Sequence, residues 1–314
     1  MGRHRHGRHH RRRPLPPAPR TGRPMSGHLR GIAYMAFGVS FFPVADATSK
    51  YLTGDYEPAQ ILWLRYLVQL LFIAPFFLSA PRRQSLRTRR PGLHLLRAAL
   101  TLVATIAFIA SLSRIPLVEG VSILFSCAFF AVALSALVLR EHVGVHRWSA
   151  VVVGFAGVLV VMRPGMGIVD WWAIFALLSA FSTAVYQVAT RKLSETDGAV
   201  TQFFYVTIFG CIALAPAMPF LWAPMSEEAW LYIVAAGMAG GLGHWFMIKS
   251  LEHAPASVVA PFNYTQIVAA TAIAALWFGE LPDGWGVLGL AIVIASGLYI
   301  ARRERLHAKR APSP

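Results

Sequence analysis

Residues 47–60 read ATSKYLTGDYEPAQ, and residues 189–202 read ATRKLSETDGAVTQ. Ala47-Thr48-Ser49-Lys50 thus returns as Ala189-Thr190-Arg191-Lys192, and Gln60 returns as Gln202, ten residues after the lysine each time. Working outward, Ser111-Leu112 and Pro116 reappear as Ser250-Leu251 and Pro255, and Glu141 reappears as Glu280. The offset is 142 early and 139 later, so one small gap aligns the two halves. Self-similarity of this kind marks a duplicated unit. Each unit holds five apolar segments, an odd number, so the second copy is expected to thread a membrane in the opposite sense. That puts a pseudo-two-fold axis in the membrane plane, an arrangement common among secondary transporters.

Composition supports the membrane reading. Of 314 residues, 56% are hydrophobic and 14% charged, with a mean hydropathy of +0.54. Soluble chains carry nearer a quarter charged residues. Apolar runs of roughly 20 residues, enough to cross a ~30 Å hydrocarbon core, recur along the chain. Ten spans are expected, at about 29–49, 60–79, 93–113, 117–139, 147–162, 168–190, 200–221, 228–250, 256–279 and 284–301. The fold class is an all-α integral membrane protein, with ten transmembrane helices arranged as two inverted five-helix repeats, 29–163 and 168–301.

Lysine and arginine set the orientation. Arg82, Arg83, Arg87, Arg89 and Arg90 crowd one loop, Arg140 and Arg147 flank another, Arg191-Lys192 open a third, and Arg302, Arg303, Arg305, Lys309 and Arg310 fill the tail at 302–314. Alternate loops hold only Lys50, Arg114 and Arg163. Both termini are therefore expected on the cytoplasmic side of the cell (inner) membrane. The net charge of +15 belongs to these loops and tails, not to a nucleic-acid surface. Segment 1–28 is a basic tail with eight arginines in its first 24 residues and almost nothing to bury, so it is expected to be disordered. Its histidines His4, His6, His9 and His10 suit a metal or anionic lipid only weakly. An alternative start at Met25, just before the first span, competes with the longer tail.

Residues 255–304 carry a resemblance: Pro255-Ala256-Ser257, then Ala260-Pro261-Phe262-Asn263-Tyr264-Thr265-Gln266, then Phe278-Gly279-Glu280-Leu281-Pro282-Asp283, with Gly289 and Gly297. In the first half, Asp46 and Lys50, Tyr56 to Ile61 with Arg65, Ile115 to Glu119, and Glu141 fit the same pattern. Taken together in order, these motifs resemble an EamA-type transporter of the drug/metabolite transporter superfamily, over about 30–304. The resemblance implies two five-helix repeats around a central cavity, with the fifth and tenth helices peripheral. Within the superfamily the pattern is similar to carriers of riboflavin, S-adenosylmethionine and metallophore-like compounds. One departure is Cys127-Ala128, where many relatives carry a proline midway along the fourth helix.

Charged groups inside a bilayer cost on the order of 3 kcal/mol and should face a cavity or a partner. Glu119, Ser122 and Ser126 share one helical face; the competing reading is a first-turn carboxylate at the interface, stabilised by the helix N-terminus. Asp46 and Lys50, four apart, can pair, and Arg65 joins them in an interhelical tie or outer gate, unless Lys50 and Arg65 merely snorkel. Asn263, Tyr264 and Gln266, His244, and Thr183, Tyr186 and Gln187 give polar faces to three second-half helices, matched by Thr101 and Thr105. Such faces suit a substrate cavity or interhelical hydrogen bonding. Trp63, Phe129, Tyr186, Trp245 and Tyr264 either stack on a planar ligand or pack.

Gly240-Gly241-Leu242-Gly243 lacks a following Gly-Lys-Ser/Thr, so close packing or a hinge replaces a phosphate loop. Gly154 with Gly157, and Gly286 with Gly289, mark close-contact faces for tertiary packing or a homodimer. Cys127 and Cys211 read as small core residues. Protease and hydrolase motifs are missing. The chain is read as no enzyme, with no cofactor and no metal site. The leading expectation is an alternating-access carrier of a small metabolite in the lipid bilayer, with proton coupling through Glu119 or Asp46 as an option. A passive channel and an intramembrane enzyme are the alternatives.

Overall fold

The computed structural model describes residues 25–78, 88, 90–138, 145–162, 171–193, 196–253 and 260–310. The basic tail, Glu141 and most of the arginine-rich loop before Arg90 lie outside these. Among the described residues the chain is helical, with no strand. In order come α1 (Met25–Val39), α2 (Phe41–Leu52), α3 (Pro58–Leu78), α4 (Pro91–Leu112), α5 (Leu117–Leu124), α6 (Cys127–Val138) and α7 (Val145–Met162). The second half has α8 (Trp172–Leu193), α9 (Ala199–Leu214), α10 (Met218–Leu221), α11 (Glu227–His253), a 3-10 turn at Ala260–Tyr264, α12 (Thr265–Ile273) and α13 (Gly284–Arg310). Four described stretches are long and apolar enough to cross a membrane: Leu29–Leu52, Pro91–Leu112, Trp172–Thr190 and Thr201–Leu221. Shorter apolar helices occupy Leu117–Phe130, Trp148–Val161, Phe262–Phe278 and Gly284–Tyr299.

Several helices are broken, for local reasons. Pro43, in the first turn of α2, has no N–H to offer the preceding turn. The chain tightens there, with Ser40 N–H bonded to the Phe37 carbonyl at 3.2 Å and the Ser40 hydroxyl to Ala36 O at 2.8 Å. Pro216 and Pro219 punctuate the α9–α10 junction. Between α5 and α6 the break persists without a proline. Ser126 N–H reaches Ile123 O at 2.9 Å and Phe129 N–H reaches Ser126 O at 2.9 Å, both three residues back. Packing holds this kink: Phe125 stacks on Tyr264 at 5.0 Å, and the buried Phe129 ring fills the space that a side chain at Gly154 would take. After α12 a π-helical stretch, Ala274–Phe278, ends at Gly279 with φ 65°, the left-handed conformation glycine adopts freely. Glu280 N–H then closes on Ala274 O at 3.0 Å.

Helices meet through small residues, as expected where lipid offers no hydrophobic contrast. Ala176, Ala180 and Ala184, four apart on α8, are fully buried. Gly38 and Gly243 let α1 and α11 cross with each backbone near the other: a Cβ on either would lie 3.2 or 3.1 Å from the partner's carbonyl. Gly157 and Gly289 do the same for α7 and α13. Those glycine faces are therefore spent on packing within the chain.

The contacts repeat between halves. α4 packs along α8 as α1 and α2 pack along α11; α3 packs on α11 as α9 packs on α4; α3 faces α9, α5 faces α12, and α7 faces α13. The turns sort to two ends. At one end, the Gln60 amide exchanges two hydrogen bonds with the Ala223 backbone, Lys50 meets the Ile115 carbonyl, and Arg114 lies over Trp172 at the start of α8. At the other, Arg90 donates to the Lys192 carbonyl, and His94 and Thr88 meet Asp197. Lys50 and Lys192 sit at opposite ends of the bundle.

Candidate functional site

The Lys50 end is tied shut by charge and by apolar packing. Lys50 Nζ lies 2.6 and 2.9 Å from the Glu280 carboxylate and donates to Ile115 O at 3.1 Å. The same carboxylate accepts the Leu117 backbone N–H at 3.2 Å. One side chain thus joins α2, the start of α5 and the turn after Gly279. Beneath it, Ala47, Leu112, Leu117, Val118, Val121, Ile267, Ala270 and Ala274 form a buried apolar plug where α2, α4, α5 and α12 meet. Toward the other end, α6 and the 260–264 turn make no comparable contact among the described residues.

The expected Asp46–Lys50 pair does not form. Lys50 has a better partner 230 positions away, held by the left-handed turn at Gly279. Asp46 is buried and makes no hydrogen bond or ion pair among the described residues. Arg65, also buried, donates from Nη1 to the Ser49 hydroxyl at 2.9 Å, while its Nε has no partner. Arg65 is the charge that acts on Asp46. His244 completes this region: Nδ1 donates to the Gly240 carbonyl at 2.9 Å, and the ring sits against Phe42 and Phe203, within the field of both Arg65 and Arg97. Gly240 has no side chain because Gln69 and Arg65 occupy that space.

Arg97 is a functional candidate that sequence reasoning passed over. It donates from Nε to Thr190 Oγ1 at 2.6 Å and from Nη1 to Gln202 O at 2.9 Å, and lies 5.8 Å from the Tyr186 ring centre. A lone arginine inside the apolar run 91–112 was the available signal. Asp46, Arg65, His244 and Tyr186 are thereby gathered from α2, α3, α11 and α8 into one central region.

Other expected residues are placed differently. Ser122 back-bonds to Val118 O at 2.6 Å and is buried; Ser126 is buried with its hydroxyl unpartnered. Glu119 is partly buried in the first turn of α5, near the closed end. Asn263, in the 3-10 turn before α12, and Gln266, in the first turn of α12, are partly buried and make no hydrogen bond among the described residues. Tyr264 stacks on Phe125 and drives its hydroxyl into the space left by Gly297. Phe129 packs likewise, and Trp63 bonds to the Cys211 carbonyl at 2.9 Å. Gln187 lies on α8, its side chain outside the described set. Cys127 and Cys211 are free thiols, and no metal-ligand cluster occurs among the described residues.

Polar and charged groups thus gather inside a helical membrane bundle. Comparison with known proteins is specific. The chain matches the EamA-like transporter family over residues 29–163 and 170–302, and belongs to it. It is 28% identical to a riboflavin transporter of Vibrio cholerae, covering 90% of this chain and 96% of that protein. An S-adenosylmethionine uptake transporter of Rickettsia prowazekii is 26% identical over 88% and 94%. A pseudopaline exporter of Pseudomonas aeruginosa is 24% identical over 88% and 98%. One crystal structure aligns with a TM-score of 0.63 at 17% identity, over 89% of this chain and 98% of its own, a likeness of fold.

Proposed function

We propose that the protein is a secondary carrier of a small metabolite in the cell (inner) membrane, working by alternating access. In this reading ten segments cross the bilayer, both termini are cytoplasmic, and the units 29–163 and 168–301 are inverted copies. What carries the reading is the correspondence of helix pairings between the halves together with the tie that closes the Lys50 end. Equivalent helices make equivalent contacts, and the Lys50 end is plugged. Rocking one unit against the other would open that end and close its counterpart. Asp46, Arg65, Tyr186 and His244 line the midway site, with Asn263 and Gln266 at the start of α12. Asp46 or Glu119 exchanges a proton during the cycle. The relatives' substrates define the first compounds to try.

The test is counterflow in proteoliposomes with labelled riboflavin and labelled S-adenosylmethionine, after a thermal-stabilisation screen has ranked further metabolites. A carrier gives saturable, transient accumulation driven by unlabelled substrate inside. Glu119→Gln and Asp46→Asn, tested separately, identify the coupling carboxylate by abolishing pH-driven uptake with expression intact. Linear, unsaturated flux would replace the carrier with a channel.

A further inference from the structure

Arg97 stands six residues into α4, about 9 Å from its start at 1.5 Å per residue. A guanidinium at that depth demands compensation. The partners it has are all neutral: a threonine hydroxyl, a backbone carbonyl and a tyrosine ring. No carboxylate among the described residues lies within ion-pair distance, and the titratable groups that act on it are the Tyr186 and Tyr66 phenols. Nε and Nη1 are used, while Nη2 makes no hydrogen bond among the described residues and is not among the sealed-off atoms. The Tyr186 hydroxyl beside it is likewise unbonded there and not sealed off. Both donors therefore remain open, and among the described residues no carboxylate offsets the Arg97 charge.

The surroundings add to the same sign. Arg65 is more than nine-tenths buried with Nε unpartnered, and both arginines act on the His244 ring. Among the described residues, Asp46 is the carboxylate on which Arg65 acts. Arg97 lies on α4 toward the end where Arg90 meets Lys192 and His94 meets Asp197. A planar guanidinium with a free amino edge beside a phenol is suited to a carboxylate or phosphate oxygen.

We propose that Arg97 Nη2 and the Tyr186 hydroxyl form an anion-recognition point, so that the transported metabolite carries a carboxylate or phosphate group. This rests on the carrier reading and narrows its substrate to organic anions and zwitterions. Asp46 and Arg65, deeper in, then see the remainder of the molecule.

The test uses purified full-length protein and inorganic phosphate or malonate as probes, with chloride at equal ionic strength as the reference. Phosphate and malonate are expected to raise the unfolding midpoint, and Arg97→Gln to raise the half-maximal phosphate concentration at least tenfold. Tyr186→Phe gives a smaller loss. Arg97→Lys keeps the charge without the fork; it is expected to weaken phosphate binding and serves if Arg97→Gln does not fold. No anion-specific shift in the parent protein, or unchanged affinity in these variants, overturns the proposal. Lipid is separated from solute by nanodiscs: a phosphate response abolished by phosphatidylglycerol but kept in phosphatidylcholine assigns the site to a headgroup and also overturns it. Counterflow that persists in either negative case leaves the carrier reading standing.

Discussion

Breaking the Lys50–Glu280 tie should open the closed end, and the size of the effect can be worked out. The pair makes two contacts at 2.6 and 2.9 Å, with the side chains 13% and 29% exposed. Sheltered charged hydrogen bonds contribute about 1.5–3 kcal/mol, while fully exposed ion pairs give about 0.2–1 kcal/mol. This pair lies between, so a coupling of about 1.5 kcal/mol is expected after discounting for solvent. That is about a tenfold shift between closed and open forms. The reporter is Val121→Cys, fully buried in the apolar plug, in a background where Cys127 and Cys211 are replaced by alanine. An impermeant maleimide is supplied at the Lys50 side. Labelling should accelerate about tenfold in Lys50→Gln, in Glu280→Gln and in the double variant, with no further gain in the double. Rates unchanged from the parent, or effects that multiply in the double variant, would refute the latch.

Three further expectations follow from packing and charge. Gly289→Val meets Val161 and the Gly157 carbonyl, the latter 2.7 Å from the first added carbon, so α7 and α13 must part; overpacking of this kind costs about 1–3 kcal/mol, read as a lowered thermal midpoint. Phe129→Ala empties the space under Gly154 and should cost about 3–5 kcal/mol; Phe129→Ala with Gly154→Leu should recover part of it in the same assay. Burial alone would raise the Asp197 pKa, but hydrogen bonds from Thr88, His94 and Thr196 outweigh it and hold the carboxyl below the ordinary 3.8. A depressed acid stabilises the fold fully above that value and loses its contribution as pH falls through the folded value. Asp197→Asn should therefore lower the midpoint near neutral pH, and the gap should narrow below pH 3.8; a gap independent of pH would sink this reading.

Much of the architecture was legible because it depends on local composition and repetition. Apolar runs marked the helices, and the recurrence from Ala47 and Ala189 anticipated matching partners. Pairings across the chain were not legible. Lys50 was expected beside Asp46 because four residues on a helix guarantee proximity, whereas Glu280 becomes a neighbour only after the chain reverses at Gly279. Tyr264 was grouped with Asn263 and Gln266 by spacing; the absence of a side chain at Gly297, 33 positions on, decides where its ring goes. The break between α5 and α6 illustrates the converse. A missing proline put the break in doubt, yet Phe125 stacks on Tyr264, Phe129 fills the space beside Gly154, and the helix breaks at 125–126. Arg97 was overlooked because its neighbours in sequence are apolar and its partners come from α8 and α9.

Single-cysteine accessibility at positions 50 and 192 tests the central proposition most directly. Lys50→Cys and Lys192→Cys, each in the cysteine-free background, are challenged in sealed cells with an impermeant thiol reagent. Reaction from outside at position 50, and only after permeabilisation at position 192, is the outcome expected of two oppositely threaded copies. Both residues reacting from one side would contradict it.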